Sequence, residues 1–586
     1  MRSMRLIVIA LMLATAGGGA RASAPSQPSS DLGLGCTTGD GSFSRVSTQG
    51  PYDALPGELH VLDSDVDGQP IQVGLVRPDV PADLKVPVIA FASPYLFGGL
   101  TEDLDDCRPR LTANYVPHGY AVAFIPIRGT ADSGDCMHMM GNAEQLDLDQ
   151  AITWLGTQEW SNGSVGMLGV SYDGSTPWEV ASRGNPHLKT IVPISGVNDM
   201  FHLMYRNGGN EQRGVLVLNA LYYEYGFVDY RVGAGRSPER MVSGAACPEA
   251  FKGFGAAAHS SLTGERDPLG YWTERNLRPG VEQHYTGSIL LVHGLRDWNV
   301  DPGHAYPWVK TLEAQGLYVK HLLGQWHHAW PDSPSPGDME TKRWDWADML
   351  LDWFDHWLKG DTGVDLGARA EVQDSSGAWR TASTWPAPDA EPYELFLNPD
   401  GSLGSEPSED SGIMPVAGLD TDPVRCRSCV SFTTEPLTEA LRISGIPSVR
   451  LRVTPTLAAG HLTVRLYAGA RQYLYALDQD VALLRDLVGW GQEDLRFPDG
   501  GETAQPVIPG MPIDLTISLQ PLDAVIPAGE RLTLVLEQGA YGDHIPSAPT
   551  APVLIEVGGT TASLTLHRHE PSPASFFTPA FPSPED

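Results

Sequence analysis

Short apolar runs recur along the first part of the chain, and their pattern predicts a parallel β-sheet. The runs are 86–92, 120–127, 165–170, 191–194 and 289–292, and 317–323 predicts a further strand. Short apolar runs bounded by turn residues are typical of strands that are buried on both faces. Ahead of them, 59–77 predicts two strands joined at Asp67-Gly68, a dipeptide that favours hairpin turns.

Helical spacing appears between these runs and after them. Leu148, Ile152 and Leu155 repeat on one helix face ahead of the third run. A second repeat stops at Gly360, a residue type common just past helix ends, and its members are Trp346, Leu350, Trp353 and Trp357. We interpret these aromatic side chains as core packing. Strands that alternate with helices over about 300 residues predict an α/β domain with helices on both faces of its sheet.

Two later regions break this alternation. The stretch from about 197 to 282 is rich in Tyr and Gly. An insertion at this point of an α/β sheet lies above the strand ends, so we expect a cap over a ligand site. Beyond Gly360, alternating runs such as 449–453, 462–466 and 532–536 predict an all-β sandwich of the jelly-roll, galactose-binding-like type.

These breaks divide the chain into five parts. They are a leader at 1–24, a flexible lead-in at 25–50, an α/β domain at 51–360, a β-sandwich domain at 361–570 and a loose tail at 571–586. The α/β domain contains the cap, so we expect it to carry the chemistry.

The leader has the features of a secretory signal peptide. A basic start precedes the apolar run Leu6–Ala16, and Ala22-Ser23-Ala24 offers a small-residue cleavage site. No later stretch is long and apolar enough to predict a membrane span. We therefore expect export with cleavage after Ala24, and an uncleaved N-terminal anchor is the alternative.

Six cysteines follow the leader, and an even number in an exported chain predicts disulfide bonds. They are Cys36, Cys107, Cys136, Cys247, Cys426 and Cys429. Cys426 and Cys429 have the spacing of half a zinc site, but no second ligand pair accompanies them, so a local disulfide is favoured. Cys107 with Cys136 is a plausible second pair.

Composition excludes some classes of function. The 586 residues are 41% hydrophobic and 19% charged, which is an ordinary globular composition. The formal net charge of −33 argues against nucleic-acid binding, because contacts with phosphates need clustered Lys and Arg. The oligomeric state is left open, with a homodimer among the options.

A serine with the features of a nucleophile follows the third apolar run. Ser171 lies in Gly169-Val170-Ser171-Tyr172-Asp173-Gly174. A serine hydroxyl attacks a carbonyl only when a base removes its proton and the backbone holds it out into the cleft. A tight strand-to-helix turn does the second, and Gly169 and Gly174 permit its close approach. The usual pattern is G-x-S-x-G, whereas the second glycine here comes one place later. A purely structural turn is the alternative.

The acid and the base of such a site should follow the serine in that order. Asp297 lies just past the fifth apolar run, and His328 just past the next predicted strand. The base takes the serine proton and gives it to the leaving group, while the carboxylate holds the imidazole in one tautomer. Asp301 is the alternative acid, and His327 and His293 are alternative bases. This chemistry needs no metal and no cofactor, so we expect neither.

Hydrogen-bond donors must also stabilise the negative oxygen that forms during the reaction. The backbone N–H of Tyr172, directly after the nucleophile, is one expected donor. Tyr95 lies in the loop after the first apolar run, where its hydroxyl could serve as the second. A packing role for Tyr95 is the alternative interpretation.

Several of these segments resemble the superfamily of Xaa-Pro dipeptidyl-peptidases and bacterial cocaine esterases. Gly169–Gly174 resembles its G-x-S-Y-x-G turn, Arg128–Ser133 its R-G-T-G-x-S segment, and Trp154–Gly163 its W-L-x-x-Q-x-W-S-N-G run. Ala131 replaces the usual second glycine of the middle segment, and Asp173 is an unusual residue in the turn. The resemblance covers almost the whole mature chain and implies an α/β-hydrolase fold.

The resemblance also implies roles for individual residues. Ser171 matches the nucleophile, Asp297 the acid and His328 the base. Tyr95 matches the tyrosine whose hydroxyl helps to form the oxyanion hole, and Tyr172 supplies the N–H.

Fewer segments separate the peptidases from the esterases. Leu188–Pro193, Met204–Gly208 and Val292–Val300 resemble the Xaa-Pro dipeptidyl-peptidases. The implied activity is release of Xaa-Pro dipeptides from peptide N-termini. The alternatives are an esterase or acylase that acts on small acyl compounds, and a binding protein with an idle triad.

An exopeptidase of this kind must hold a free α-ammonium group and a proline ring. The candidate substrate contacts are Tyr205, Asn207, Glu211 and Trp298, and the cap offers Glu224 and Asp229 as further acids. The sequence does not choose among them.

Overall fold

The computed structural model describes most of the chain. The described residues are 44–96, 110–134, 136–211, 248–297, 299–333, 342–417, 429–468, 487–538, 544–545 and 552–580. The predicted signal peptide lies outside these ranges, as do Trp298, Glu224 and Asp229.

The strands of the first part of the chain lie side by side, as the apolar runs predict. They are β1 (Glu58–Asp63), β2 (Pro70–Val76), β3 (Val86–Ser93), β4 (Ala121–Pro126), β5 (Ser161–Val170), β6 (Leu188–Ile194), β7 (Asn210–Glu211), β8 (Ser288–Gly294), β9 (Val319–Gly324), β10 (Ala370–Gln373) and β11 (Trp379–Ala382). All except β7 join one sheet in the order β1-β2-β4-β3-β5-β6-β8-β9-β10-β11. The hairpin predicted at Asp67-Gly68 is confirmed, since β1 and β2 pair in antiparallel register around it.

The centre of this sheet is parallel. The strands from β4 through β3, β5, β6, β8 and β9 to β10 all run in one direction. The carboxyl ends of β5, β6, β8 and β9 therefore lie next to one another along one edge, which is where ligands bind in open α/β sheets.

Helices cover both faces of the sheet. They are α1 (Leu111–Tyr115), α2 (Asn142–Thr157), α3 (Tyr172–Arg183), α4 (Met200–Tyr205), α5 (Pro248–Thr263), α6 (Tyr271–Glu274), α7 (Arg278–His284), α8 (Trp308–Ala314) and α9 (Trp346–Lys359). Val88 and Ala90 of β3 share a buried cluster with α2, whereas Ile89 and Phe91 share one with α9. Successive side chains of a strand point to opposite faces, so the two helices lie on opposite sides.

Both predicted helices are confirmed. Leu148, Ile152 and Leu155 of α2 are buried in the first cluster. In α9 the indole N–H of Trp353 donates to Thr190 Oγ1 at 2.8 Å, which ties the helix to β6. Gly360 ends α9 with φ +73°, a conformation that glycine adopts without steric cost. The aromatic repeat is therefore core packing.

The described residues of the second half of the chain form β-strands and no α-helix. Its strands are β12 (Glu391–Leu397), β13 (Leu403–Gly404), β14 (Gly412–Val416), β15 (Val430–Thr433), β16 (Leu441–Gly445), β17 (Ser448–Pro455), β18 (His461–Ala468), β19 (Leu487–Asp494), β20 (Ile513–Ser518), β21 (Leu522–Ile526), β22 (Leu532–Glu537), β23 (His544–Ile545), β24 (Val553–Val557), β25 (Ser563–Arg568) and β26 (Phe576–Phe577). Residues from a nine-stranded and a four-stranded sheet share one buried apolar cluster. The all-β prediction is confirmed, while the jelly-roll connectivity stays a prediction.

Structural contacts cross three of the predicted boundaries, which themselves stay predictions. Gly360 does not separate two sheets, because β10 continues the first sheet beside β9. The tail predicted to be loose is anchored, since β26 pairs with β11 and the ring of Phe577 packs near Trp379. The end of the lead-in is also fixed, because the Ser44 hydroxyl and N–H both donate to Asp332 Oδ2 at 2.8 Å. Each of these three features depends on contacts between residues that are far apart in the sequence.

The described part of the predicted cap is docked on the C-terminal domain. The Asn207 side chain donates to the Gln492 carbonyl at 2.9 Å. The Phe497 ring fills the space over Gly208, where an added Cβ would lie 2.0 Å from a ring carbon. Arg266 of the cap bridges Asp199 and the C-terminal domain's Glu502.

Two findings bear on the predictions about export. Neither cysteine in the described part of the chain, Cys136 or Cys429, is a free thiol. The proposed partners Cys107 and Cys426 lie outside the described residues, so the pairing stays a prediction. Among the described residues, no helix combines the length and the apolar character needed to cross a membrane.

Candidate active site

Ser171 occupies a sharp turn between β5 and α3. Its backbone has φ +65° and ψ −125°, a region that costs a residue with a side chain about 1–3 kcal/mol. Such a conformation persists only where neighbours hold it, and the Ser171 N–H donates to the Ile194 carbonyl of β6 at 2.9 Å. The side chain is half-buried. This is the geometry of a strand-to-helix nucleophile turn.

The two glycines of the turn permit its close packing. A Cβ at Gly169 would lie 2.4 Å from the Asp173 carbonyl oxygen, and one at Gly174 would lie 2.5 Å from the Ile194 carbonyl oxygen. Real Cβ atoms do not approach backbone so closely. The displaced second glycine therefore still allows the turn to pack against β6.

Asp297 lies in the turn after β8 and is fully hydrogen-bonded. Its Oδ1 accepts the N–H groups of Asn299 at 2.8 Å and Val300 at 3.0 Å. Its Oδ2 lies 2.8 Å from His328 Nδ1. A carboxylate accepts, so His328 Nδ1 carries the proton and donates it to Oδ2.

The surroundings keep Asp297 ionised although it is buried. Burial raises the pKa of Asp297, but the adjacent His328, the hydrogen bond from its ring and the nearby His293 outweigh this effect, so the pKa falls below its ordinary value. The Ser195 hydroxyl adds to the lowering. Asp297 therefore presents a negative charge to the His328 ring.

His328 has one ring nitrogen left for chemistry. Its Nε2 is buried and has no hydrogen-bond partner among the described residues. With the proton on Nδ1, Nε2 carries a lone pair and can accept a proton. A buried acceptor without a partner is costly unless a substrate or a nucleophile uses it.

The alternative acid and bases have other partners. Asp301 is ion-paired with Arg206 at 2.7 Å. His293 Nε2 donates to the Val300 carbonyl at 2.7 Å, and burial lowers the pKa of this ring. The structure therefore pairs Asp297 with His328.

The sheet brings the serine turn to the same edge as this pair. Backbone hydrogen bonds join the ends of adjacent strands from the serine to the histidine loop: Ser171 N–H to Ile194 O at 2.9 Å, Ser195 N–H to Val292 O at 3.0 Å and Leu295 N–H to Gly324 O at 2.7 Å. Ser171, Asp297 and His328 thus follow the parallel strands β5, β8 and β9, and β6 lies between the first two.

The two expected oxyanion donors lie at the same edge. Tyr172 is the first residue of α3, where backbone N–H groups point out of the helix end. Tyr95 follows β3, the neighbour of β5, and its backbone N–H donates to Ser93 Oγ at 3.0 Å. Thr176 Oγ1 of α3 donates to the Ala92 carbonyl at 3.1 Å, which joins the helix start to the end of β3.

Sequence reasoning missed two residues that support this site. Glu144 of α2 accepts the Tyr172 hydroxyl at 2.8 Å, and burial raises the pKa of Glu144 to about 7 against the effect of that hydrogen bond. Ser195, directly after β6, has φ +47° and faces Asp297. No motif marks Glu144, whereas Ser195-Gly196 after an apolar strand is a weak turn signal.

The structure uses two predicted substrate contacts for packing. Tyr205 is 1% exposed, and its hydroxyl donates to the Ala257 carbonyl at 3.2 Å, so its ring belongs to the core of the cap. Asn207 docks the cap on Gln492. Tyr205 and Asn207 therefore have structural roles in the cap. The backbone of Glu211 pairs with β23, and Trp298 lies outside the described residues.

Models of two families match consecutive parts of the chain. The model described as "X-Pro dipeptidyl-peptidase (S15 family)" matches residues 67–330. The model described as "X-Pro dipeptidyl-peptidase C-terminal non-catalytic domain" matches residues 362–574. The two matches follow in the order of the two structural halves.

Individual proteins show the same likeness. A "Putative Xaa-Pro dipeptidyl-peptidase" from Streptomyces avermitilis is 27% identical and aligns with 86% of this chain and 82% of its own. The crystal structure of an aminopeptidase from a marine sediment archaeon, Thaumarchaeota archaeon, superposes with a TM-score of 0.69 at 18% identity, covering 94% of this chain and 99% of the other. An α-amino acid ester hydrolase superposes with a TM-score of 0.66 at 17% identity, covering 93% and 100%. The structural likeness shows a shared fold.

Proposed function

Because the chain belongs to the hydrolase superfamily of the Xaa-Pro dipeptidyl-peptidases and cocaine esterases, we propose that it is a secreted serine exopeptidase that releases Xaa-Pro dipeptides from peptide N-termini. One observation carries the proposal. His328 donates from Nδ1 to Asp297 and keeps Nε2 without a partner among the described residues, at the sheet edge that also holds the Ser171 turn.

The first half of the reaction forms an acyl-enzyme. His328 Nε2 takes the Ser171 proton as Oγ attacks the carbonyl carbon of the second substrate residue, and an anionic tetrahedral intermediate forms. When the C–N bond breaks, His328 returns the proton to the leaving amine. Asp297 stabilises the imidazolium in between, because it is ionised and holds the ring in one orientation.

Two donors are proposed for the negative oxygen of the intermediate. The Tyr172 N–H lies at the start of α3, where the helix dipole also favours negative charge. The Tyr95 hydroxyl is the second donor. Removing one such donor typically costs about 10²–10³ in kcat.

The second half of the reaction releases the dipeptide. Water enters as the leaving peptide departs, and His328 Nε2 removes one of its protons while the oxygen attacks the ester carbonyl. Collapse of this second intermediate returns the proton to Ser171 Oγ. The products are the Xaa-Pro dipeptide and the shortened peptide, and no metal or cofactor is needed.

The substrate class requires a negative partner for a free α-ammonium and an apolar surface for proline. Glu211 and Trp298 are retained as candidates for these two tasks. Secretion after Ala24, the disulfide pairs and the jelly-roll connectivity of the C-terminal domain are parts of the same proposal.

The second candidate function is hydrolysis of acyl esters, and one structural relative is named an α-amino acid ester hydrolase. The same nucleophile can attack an ester carbonyl, assisted by the same base and the same oxyanion donors. A hydrolase of simple acyl esters needs neither an N-terminal amine nor proline.

The two candidates are separated by comparing three chromogenic substrates. We expect cleavage of Ala-Pro-p-nitroanilide, no cleavage of its N-acetyl derivative, and slower turnover of p-nitrophenyl butyrate. Ser171→Ala is the control for background hydrolysis. Equal cleavage of the free and acetylated anilides, or cleavage of the ester alone, would falsify the exopeptidase.

A further inference from the structure

His293 is a buried histidine that the proposed chemistry does not use. It is the penultimate residue of β8, four residues before Asp297, and its side chain is 1% exposed. Its Nδ1 is buried and has no hydrogen-bond partner among the described residues. An apolar side chain would fill the same place without the cost of burying an unsatisfied polar atom. The contacts of the other ring nitrogen, Nε2, give a reason for a histidine here.

Nε2 of His293 is bound to the far end of the turn that carries Asp297. It lies 2.7 Å from the Val300 carbonyl oxygen. Because a carbonyl oxygen can only accept, Nε2 carries a proton and donates it. The N–H of the same residue, Val300, donates to Asp297 Oδ1 at 3.0 Å. Val300 thus joins the His293 ring to the acid, through its carbonyl on one side and its N–H on the other.

The same ring nitrogen also approaches the acid directly. His293 Nε2 lies 3.8 Å from Asp297 Oδ2, the oxygen that accepts from His328 Nδ1 at 2.8 Å. A separation of 3.8 Å is too long for a hydrogen bond, but the proton on Nε2 still places a partial positive charge beside the carboxylate. Oδ2 therefore lies between two imidazole N–H groups, of which only the one on His328 is within hydrogen-bond distance.

The two ends of the acid turn are held in different ways. At its entry the backbone is fixed to the neighbouring strand, because the Leu295 N–H donates to the Gly324 carbonyl of β9 at 2.7 Å. At its exit the carbonyl of Val300 is tied back to β8 by the side chain of His293. Loss of the His293 donor would release the exit while the entry stays in place. The N–H groups that hold Asp297 Oδ1 would then shift, and the carboxylate with them.

We propose that His293 is a positioning residue: by fixing Val300 to β8, it holds Asp297 in the orientation that the base needs. This inference rests on the proposed function, since it assumes that Asp297 and His328 act as acid and base. In this role His293 touches neither the substrate nor the reacting atoms. The role requires a donor that reaches the Val300 carbonyl, and it does not require an imidazole. Glutamine offers an amide N–H at a similar reach, so it should replace His293 with little loss.

The test is a double-mutant cycle between His293 and Asp297. His293→Leu and His293→Gln are made alone and with Asp297→Asn, and kcat and KM are measured for Ala-Pro-p-nitroanilide, with Ser171→Ala as the background. His293→Leu should lower kcat about ten- to hundredfold with KM nearly unchanged, because a displaced acid weakens the transition state and not the binding of substrate. His293→Gln should keep most of the wild-type kcat. In the Asp297→Asn background His293→Leu should have no further effect.

Two control variants separate positioning from a general loss of stability, and thermal unfolding is measured for all variants. Asp301→Asn removes the ion pair with Arg206 one residue beyond Val300 and leaves the His293 contact in place, so kcat should stay within a few-fold of the wild type. His461→Leu removes an equally buried histidine from β18 of the C-terminal domain. It should lower the thermal stability without lowering kcat.

The inference is overturned if the losses of His293→Leu and Asp297→Asn multiply, if His293→Leu keeps full kcat, or if His293→Gln is as slow as His293→Leu. His293→Phe, which keeps a ring of similar size without a donor, takes the place of His293→Leu if that variant does not fold. If neither folds, His293→Gln decides: a kcat within a few-fold of the wild type supports the inference, and a loss of more than tenfold overturns it.

Failure of the proposed function gives a different result. The rate at which a fluorophosphonate labels Ser171 is measured for every variant, because it reports on the nucleophile and its base without a peptide. If the wild type is labelled but does not cleave the anilide, the proposed function fails, and the cycle is then evaluated from the labelling rates. Losses that multiply in those rates contradict the role of His293. A wild type that is not labelled at all contradicts both the proposed function and this inference.

Discussion

Replacing Asp297 by asparagine tests the pairing of acid and base with an almost unchanged side-chain shape. In the wild type, Oδ1 accepts two backbone N–H groups, from Asn299 and Val300, and Oδ2 accepts from His328. The amide of Asp297→Asn has one acceptor and one donor end. The two backbone donors select the acceptor end, so the NH₂ group faces His328 Nδ1.

This orientation forces the wrong tautomer on the base. Facing a donor, His328 must accept at Nδ1 and carry its proton on Nε2, where it cannot take the proton of Ser171. Turning the amide round would oppose its NH₂ to two buried N–H groups, at about 1–3 kcal/mol for each unsatisfied donor. We therefore expect kcat to fall about 10⁴-fold, which corresponds to about 5.5 kcal/mol.

The assay is hydrolysis of Ala-Pro-p-nitroanilide, with thermal unfolding as a check of the fold. Asp301→Asn is the matched control, since it removes a charge four residues away that pairs with Arg206 and not with a histidine. It should keep kcat within a few-fold of the wild type. An Asp297→Asn enzyme with a tenth or more of the wild-type kcat, or an equal loss in Asp301→Asn, would refute the reasoning.

Three further changes test neighbouring parts of the site. His328→Ala should lower kcat for Ala-Pro-p-nitroanilide by about 10³-fold or more, whereas His327→Ala should not. Equal losses of kcat in the two variants would contradict the choice of His328 as the base. Tyr95→Phe should lower kcat about 10²-fold with little change in KM, and an unchanged kcat would remove Tyr95 from the oxyanion hole. Glu144→Gln should flatten the pH dependence of stability. The folded-state pKa of Glu144 is raised from 4.5 to about 7, so its stabilising effect is complete below pH 4.5 and lost as pH rises through about 7. Between pH 5 and pH 8, urea unfolding should show that the wild type loses about 2.5 kcal/mol more stability than Glu144→Gln does, and equal losses in the two proteins would contradict it.

The strands and the chain order of the site could be predicted because they depend on local pattern. Apolar runs bounded by turns marked β3, β5, β6 and β8, and the turn residues after them marked Ser171 and Asp297. Strands buried on both faces need continuous apolar sequence, so each apolar run by itself indicates a buried strand.

Features that depend on distant partners could not be predicted in this way. In the sequence Glu144 resembles any acidic residue of a surface helix, and only the fold places its carboxylate within hydrogen-bond distance of the Tyr172 hydroxyl. Tyr205 and a substrate-binding tyrosine have the same local signature, because amphipathic side chains suit both a cap core and a pocket wall. The Phe576–Phe577 strand is too short to be recognised without its partner β11.

The most direct test of the central claim is the identity of the first product released from an unmodified peptide. The purified protein is incubated with a peptide that begins Ala-Pro, and the products are identified over time by liquid chromatography and mass spectrometry, with Ser171→Ala in parallel. The account predicts that the dipeptide Ala-Pro appears first with the wild type and does not appear with Ser171→Ala. Release of free alanine first, or release of Ala-Pro at the same rate by Ser171→Ala, would contradict it.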